Sequence, residues 1–351
     1  MDIDQDKLME FLHKFVGDLG ATIAAGSVLI GDRLGLYRAL APQPMRPEEL
    51  AQATGTAPRY VDEWLRGQAA GGYVEYDPQA GTYSMTPEQA FALTDPDGAV
   101  FAPGAFQLAL GTLQALPRVT EAFQTGTGIG WHEHDNEVFT GCERFFRPGY
   151  AANLVSSWLP ALDGIEDRLR KGARVADIGC GHGASTALMA QAYPASAFTG
   201  SDYHEGSVLQ ARQRIADTGL ESRVRFEVAS AQDFGGGPYD LVTSFDCLHD
   251  MGDPLAAARH VREQLAPDGT WMVVEPAAGP TVSDNLNPVG RVYYSFSTFL
   301  CVPSALSQDG GYSLGAQAGE AAIAKLAADT GFSRFRRAAE TPFNIVYEVR
   351  P

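Results

Sequence analysis

The stretch Arg174-Val175-Ala176-Asp177-Ile178-Gly179-Cys180-Gly181-His182-Gly183-Ala184-Ser185 decides the reading of this chain. Val175 to Ile178 is a short, mostly apolar run that ends at a glycine, the pattern of a buried strand. Glycines follow at every second position, at 179, 181 and 183. Behind them, Ala184-Ser185-Thr186-Ala187-Leu188-Met189-Ala190 starts with small residues and is a good helix-forming run. Strand, glycine turn and helix open a nucleotide-binding βαβ unit. The glycines leave the backbone open to a ligand and supply positive φ where the turn needs it.

Two cofactors suit such a loop. The dinucleotide pattern G-x-G-x-x-G/A is met loosely by Gly179, Gly181 and Ala184. The third glycine at 183 and the acid ahead of the first one instead resemble the glycine-rich loop of class I S-adenosylmethionine-dependent methyltransferases. That resemblance implies that Asp177, Gly179, Cys180, Gly181 and Gly183 hold the methionine tail and ribose, the acid helping with the cationic ammonium end. Ala197-Phe198-Thr199-Gly200-Ser201-Asp202 reads as a second strand ending in an acid. A carboxylate at that place accepts hydrogen bonds from both ribose hydroxyls, and Tyr203 stands beside it. After the third strand, backbone groups at Ala231 and Gln232 are expected at the adenine edge. Phe245, at the end of the fourth strand, completes the expected cofactor contacts.

Composition sets outer bounds. With 351 residues the chain is long enough for two domains with real cores. Its hydrophobic content of 45% and charged content of 20% describe a soluble globular protein. A net charge of −17 repels phosphate backbones and argues against nucleic acid as a partner. The four cysteines (142, 180, 247 and 301) form no C-x-x-C pair, so no zinc site or disulfide framework is expected. Scattered thiols fit a reducing cytoplasm. The acidic N-terminus is unlike a signal peptide. The small, apolar run Ala21 to Ile30 is too short by itself to span a bilayer, so no membrane association is expected.

Residues 1–100 form the first expected domain. Leu8, Phe11, Leu12, Phe15 and Leu19 fall on one helical stripe, and Ala21 to Leu40 is almost wholly apolar. A helix apolar on most sides is a core helix or is shared with a second subunit. Residues 47–86 read as two helices, each with proline in its first turn, and a hairpin wing. This arrangement resembles a winged helix. Its second helix carries Arg59 and Arg66 against Asp62 and Glu63, and residues 1–100 hold seven Lys/Arg against fifteen Asp/Glu. A DNA-reading role does not fit that charge. The segment instead resembles the winged-helix dimerisation domain that opens many small-molecule methyltransferases, which implies a homodimer.

Residues 101–165 form a helical connector expected to wall the substrate pocket through Trp131, Arg144, Phe146, Tyr150 and Asn153. The pair His132 and His134 lacks a third ligand, and no metal is expected there.

Residues 166–351 alternate strand and helix, with strands near 174–178, 197–202, 223–229, 239–245, 270–275, 334–339 and 342–349. This is a doubly wound α/β sheet. The last two strands are too close for a crossover helix and must pair as an antiparallel hairpin. That closing hairpin is unlike the dinucleotide fold and resembles the class I methyltransferase sheet. Residues 276–315 form an expected lid over the acceptor, with Tyr293, Tyr294 and Ser297 among its pocket residues; a long ordered loop in a compact domain usually has a function.

The fourth strand runs into Asp246-Cys247-Leu248-His249-Asp250-Met251-Gly252-Asp253. Leu248-His249-Asp250-x-x-Asp253 is similar to the L-H-D-W-x-D segment of winged-helix O-methyltransferases, with Met251 where those enzymes carry tryptophan. The resemblance implies that His249 is the general base, a task imidazole suits near neutral pH. Together with Gly315-Ala316-Gln317-Ala318-Gly319-Glu320, these motifs also resemble actinobacterial and mycobacterial winged-helix methyltransferases. The expectation is methyl transfer from S-adenosylmethionine, released as S-adenosylhomocysteine, to a small apolar or aromatic molecule with a hydroxyl. The alternatives are C- or N-methylation of a secondary metabolite and a cofactor-binding transcriptional regulator.

Overall fold

The computed structural model describes residues 3–351, in two compact units. The first holds the chain up to Leu110 together with Thr140–Pro148; the second holds Gly111–Phe139 and Gly149–Pro351.

The first unit begins with α1 (Gln5–Arg33), whose N-terminus is capped by the Asp4 carboxylate accepting the N–H groups of Asp6 and Lys7. Gly35, at φ 70°, breaks the chain into α2 (Leu36–Leu40). Then follow α3 (Pro47–Thr54), α4 (Pro58–Ala70), the hairpin β1 (Glu75–Asp77) and β2 (Thr82–Ser84), α5 (Pro87–Thr94) and α6 (Pro103–Leu113). Proline opens α3, α4 and α5, where its missing N–H costs nothing. Leu36, Tyr37, Leu40, Leu50, Val61 and Leu65 form the core of this unit. Helix, turn, helix and two-stranded wing therefore stand where the sequence places them.

Helix α1 extends well beyond the apolar run. The apolar run at 21–30 is not a short piece on its own but part of a continuous helix of 29 residues. By length and composition alone such a helix is long and apolar enough to cross a membrane. Phe11, Phe15, Val16, Leu19 and Ile23 are exposed along it.

The second unit starts with α7 (Leu116–Thr125). Helix α8 (Asn136–Asn153) lends residues to both units and unwinds into a wide turn at Leu154–Trp158; α9 (Ile165–Lys171) follows. The α/β part then runs β3 (Arg174–Ile178), α10 (Ala184–Ala192), β4 (Ala197–Asp202), α11 (Glu205–Ile215), β5 (Val224–Val228), β6 (Tyr239–Phe245), α12 (Pro254–Gln264), β7 (Leu265–Pro276), α13 (Pro288–Phe299), α14 (Cys301–Leu306), α15 (Glu320–Asp329), β8 (Arg334–Glu340) and β9 (Asn344–Arg350).

The seven strands lie in the order β5-β4-β3-β6-β7-β9-β8. Five are parallel; β9 inserts antiparallel between β7 and β8. The closing hairpin thus exists, with Val346 opposite Val274 and Tyr347 opposite Val273. Strands buried on both faces read as near-continuous apolar runs, and β6 and β7 are buried over most of their length. Trp271, Val273, Val242 and Ile178 pack with Ile323 and Leu326 of α15 and with Tyr347 of β9. This rigid sheet fixes where the carboxyl ends of β3, β4, β6 and β7 arrive, which is where ligands bind in open α/β sheets.

The expected lid differs in form from a long loop. It folds into α13 and α14, with Asn287 capping α13 by accepting the N–H of Gly290.

Candidate active site

The glycine loop follows β3. Gly179, Gly181 and Gly183 all have positive φ, at 66°, 52° and 73°. They do different work. A Cβ on Gly179 would lie 2.8 Å from Cys247 Sγ, and one on Gly183 would lie 2.5 Å from the Phe226 ring, so both are demanded by packing. A Cβ on Gly181 would meet nothing within 4 Å. Its face is open, and there the bare backbone can meet a ligand.

Asp202 closes the loop from β4. Its Oδ2 accepts the Gly181 N–H at 2.9 Å and its Oδ1 accepts the His204 N–H at 2.8 Å. Burial raises its pKa against those two backbone donors. Each oxygen keeps a second lone pair for a further donor. The Cys180 N–H donates to Ser201 O at 3.0 Å, so the loop is stitched to β4 at two points. The Cys180 thiol is buried, and burial holds it protonated.

Asp177 corrects the sequence reading. Its carboxylate is 1% exposed. Oδ2 accepts the hydroxyls of Ser185 at 2.7 Å and Thr186 at 2.6 Å, and Oδ1 accepts that of Thr243 at 2.9 Å. The acid is spent on joining β3, the start of α10 and β6, so it presents nothing to a cofactor ammonium.

Beside Asp202, Tyr203 is exposed and lies edge-on to His132 at 6.4 Å. Phe139 covers His204 at 4.7 Å. Trp131 packs edge-on against Phe139 at 5.6 Å. Near the end of β5, Ala231 is half-buried and Gln232 exposed; the Gln232 N–H is already donated to Ser230 Oγ at 3.2 Å.

The end of β6 carries the densest chemistry. Phe245 is buried against Tyr150 at 5.0 Å and stacked on Trp158 at 6.5 Å. Asp246 follows with φ 49°, one of two non-glycine residues among those described in the left-handed region. Its Oδ1 accepts from Asn344 Nδ2 at 2.7 Å and its Oδ2 from the Tyr150 hydroxyl at 3.2 Å. Burial, helped by Glu275, pushes its pKa up to about 8 against the pull of His249 and the Tyr150 hydrogen bond.

His249 sits on the short turn Leu248–Asp250 and is 3% exposed. Its Nδ1 donates to Glu275 Oε2 at 2.5 Å, and its Nε2 lies 3.2 Å from Asp250 Oδ1. Burial depresses its pKa, but Glu275 and Asp250 outweigh that and raise it well above the usual imidazole value. Cys301, at the start of α14, adds its buried thiol to the cluster. The ring lies between two carboxylates, which favour its protonated form.

The expected substrate residues divide. Tyr150 joins the β6 cluster. Tyr293 is buried, and its hydroxyl donates to Phe343 O at 2.7 Å. Ser297 is buried and accepts the Ala316 N–H at 3.1 Å. Tyr294 is exposed, and Asn153 turns back on its own helix to Gly149 O at 2.9 Å. Arg144 and Phe146 belong to the first unit, where Arg144 pairs with buried Asp32 at 2.7 Å and lies over the Phe101 ring.

Three residues of the cluster escape the sequence reading: Asp246, Glu275 and Asn344. Glu275 had a signal, since an acid at the end of the apolar run Trp271-Met272-Val273-Val274 needs a partner. Asn344 had none.

A seven-stranded sheet of this order, with a three-glycine loop and an acid ending the second strand, is a class I methyltransferase fold. Residues 176–271 match the family described as "Methyltransferase domain", and residues 22–95 match the "Rv2258c-like winged HTH domain". The chain therefore carries a methyltransferase domain behind a winged helix-turn-helix domain. It is 33% identical over 135 residues to the ubiquinone biosynthesis O-methyltransferase of Bordetella avium, covering 37% of this chain and 52% of that one. It is 30% identical over 131 residues to the 27-O-demethylrifamycin SV methyltransferase of Amycolatopsis mediterranei, covering 35% of this chain and 48% of that one. The chain thus spans about half the length of these two curated relatives. In fold it resembles human N-acetylserotonin methyltransferase in complex with SAM, with a TM-score of 0.71, 16% identity and coverage of 100% of this chain and 99% of that one. It also resembles mitomycin 7-O-methyltransferase MmcR, with a TM-score of 0.70, 19% identity and coverage of 99% and 100%.

Proposed function

We propose that the chain is an S-adenosylmethionine-dependent methyltransferase acting on a hydroxyl of a small apolar or aromatic molecule. One observation carries this reading: the open face of Gly181 lies beside Asp202, whose oxygens keep free lone pairs. A nucleoside ribose needs that pairing of bare backbone and carboxylate. The donor supplies a methyl group on a sulfonium, and its leaving group is a neutral thioether. Asp202 would hold the ribose hydroxyls, Gly179 to Gly183 the backbone-facing tail, and Phe139, His204 and Tyr203 the aromatic side of the crevice. Phe245, Tyr150 and Trp158 supply an apolar wall for the acceptor. The protein's task is then mostly positioning, with a group at the end of β6 to take the acceptor's proton.

The assembly that fits this reading is a homodimer formed through the first unit, with the apolar face of α1 covered by a second copy. The excess of acids there supports the absence of a nucleic-acid partner.

The test has two arms. Calorimetry measures S-adenosylhomocysteine and NAD; only the former is expected to bind. Incubation of a cell extract with isotopically labelled methyl donor then shows which small molecule gains the label. Absence of S-adenosylhomocysteine binding, or binding of NAD in its place, overturns the reading.

A further inference from the structure

We infer that His249, Asp250 and Cys301 form a binding site for a zinc ion, and that zinc held there arrests methyl transfer by taking the His249 lone pair. The site rests on geometry. The arrest rests on the methyltransferase reading, with His249 as the group that takes the acceptor's proton.

The turn Leu248–Asp250 sets two donors side by side, and α14 brings the third at its first residue. One ligand atom from each of His249, Asp250 and Cys301 lies within 4.8 Å of the other two. The ring atom available is Nε2, since Nδ1 is bonded to Glu275. Tetrahedral zinc with bonds of about 2.0–2.3 Å spaces its ligand atoms about 3.3–3.6 Å apart. Nε2 and Asp250 Oδ1, at 3.2 Å, already have that spacing. The thiol needs to close by about 1 Å at most to join them.

Asp250 Oδ1 points to a ligand on separate grounds. It is buried, and despite its nearness to Nε2 it makes no hydrogen bond. A buried oxygen left in that state calls for a partner. An ion seated between it and Nε2 is a partner that both atoms can share.

The support behind the ring is in place. Nδ1 donates to Glu275 Oε2 at 2.5 Å, and Glu275 Oε1 accepts the Leu248 N–H at 3.1 Å. A metal-binding imidazole almost always gives its other N–H to a carboxylate or carbonyl, which fixes the tautomer and aims the free nitrogen at the metal. Gln308 Nε2 donates to the Asp250 carbonyl at 2.8 Å and holds the turn.

The donor set selects the ion. Nitrogen, carboxylate oxygen and thiolate suit zinc, whereas magnesium and calcium take oxygen ligands. Three protein ligands leave a fourth position for water. Asp250 is the partly exposed member, so the ion enters from its side. As the Zn–S bond forms, the Cys301 thiol proton passes to solvent, with any proton on Nε2. Bound zinc then occupies the lone pair through which an imidazole takes a proton. Cysteine spacing does not announce the site, because Cys301 returns to His249 only after the chain has passed through β7 and α13.

Zinc alone is the probe, titrated into the full-length protein after chelator treatment. One ion per chain is expected. Cobalt(II) in its place should show the absorption of a tetrahedral site with a thiolate ligand. In protein labelled with nitrogen-15 at histidine, zinc should shift His249 Nε2 far more than Nδ1. Glu275→Gln should cost about 10–100-fold in zinc affinity, and Cys301→Ser more. Cys142→Ser, which removes a thiol of the first unit, should leave the affinity unchanged. With methyl-labelled S-adenosylmethionine and a small-molecule extract of the cells that make the protein, zinc should stop label transfer and chelator should restore it. Whatever transfer Cys301→Ser retains should withstand zinc. Absence of zinc binding, equal affinity in the parent and Cys301→Ser, or an unmoved Nε2 resonance would overturn the site. Zinc bound with transfer unchanged or faster would overturn the arrest. No label transfer by the chelator-treated parent, with zinc binding intact, would instead count against the methyltransferase reading.

Discussion

Asp202 Oδ2 accepts the backbone N–H of Gly181 at 2.9 Å, from 21 residues further along the chain. The bond fixes the second strand's terminal acid against the one glycine of the loop that faces open space. In the proposed function, loop shape and ribose recognition depend on the same carboxylate.

Replacement of Asp202 by alanine should weaken S-adenosylhomocysteine by about 1.5–3 kcal/mol for each hydrogen bond to the charged group that is lost. Calorimetry on the variant checks this. Unchanged affinity would remove Asp202 from the ribose site.

Two glycines of the loop should respond differently to alanine. Gly183→Ala drives a methyl into the Phe226 ring and should lower stability by about 1–3 kcal/mol. Gly181→Ala has room for its methyl and should cost only about 1 kcal/mol of backbone strain, yet it obstructs the cofactor. Urea unfolding and S-adenosylhomocysteine titration on both variants decide. Full affinity in Gly181→Ala would show that the open face is not a ligand face.

His249→Gln should destabilise the fold by about 3–5 kcal/mol, since Glu275 and Asp250 would face each other without the cation between them. The pH dependence has a definite sign. The folded imidazole holds its proton above the usual value, while the unfolded chain releases it near 6.5. The stabilisation is therefore complete below about pH 6.5 and is lost as pH rises through the folded value. Denaturation midpoints from pH 6 upward should show the parent approaching the variant. A constant gap would mean that the ring is not charged in the fold.

Light scattering at micromolar concentration should give a mass of roughly 75 kDa, twice the 37.6 kDa chain. The reason is that α1 exposes Phe11, Phe15, Val16 and Ile23, more apolar surface than a monomer usually leaves wet. Phe15→Asp with Ile23→Asp should shift the mass to that of one chain. A monomeric parent that instead sediments with lipid vesicles would assign the face to a membrane.

Much of the fold was legible because it depends on local pattern. The apolar run at 175–178, the alternate glycines and the helix behind them form one βαβ opening wherever the rest of the chain goes. The short gap between the last two strands left only a hairpin, and β8 and β9 form it. Prolines at 47 and 58 marked helix starts that the structure confirms. Asp202 was legible for the same reason, since a strand end and a helix start bracket it.

The site's chemistry was decided by contacts that sequence spacing does not encode. Asp177 and Asp202 look equivalent as strand-end acids. Only packing shows that one is enclosed by Ser185, Thr186 and Thr243 and the other accepts the backbone N–H groups of Gly181 and His204. The motif around His249 marks an imidazole but says nothing of Glu275, 26 residues on, which accepts its hydrogen bond. Asn344 reaches Asp246 across 98 residues because β9 enters the sheet beside β7. Ionisation depends on burial and on the charges that topology brings near a group. The sequence by itself determined which elements form and in what order; the tertiary structure decided which carboxyls are enclosed and which groups stand beside each one.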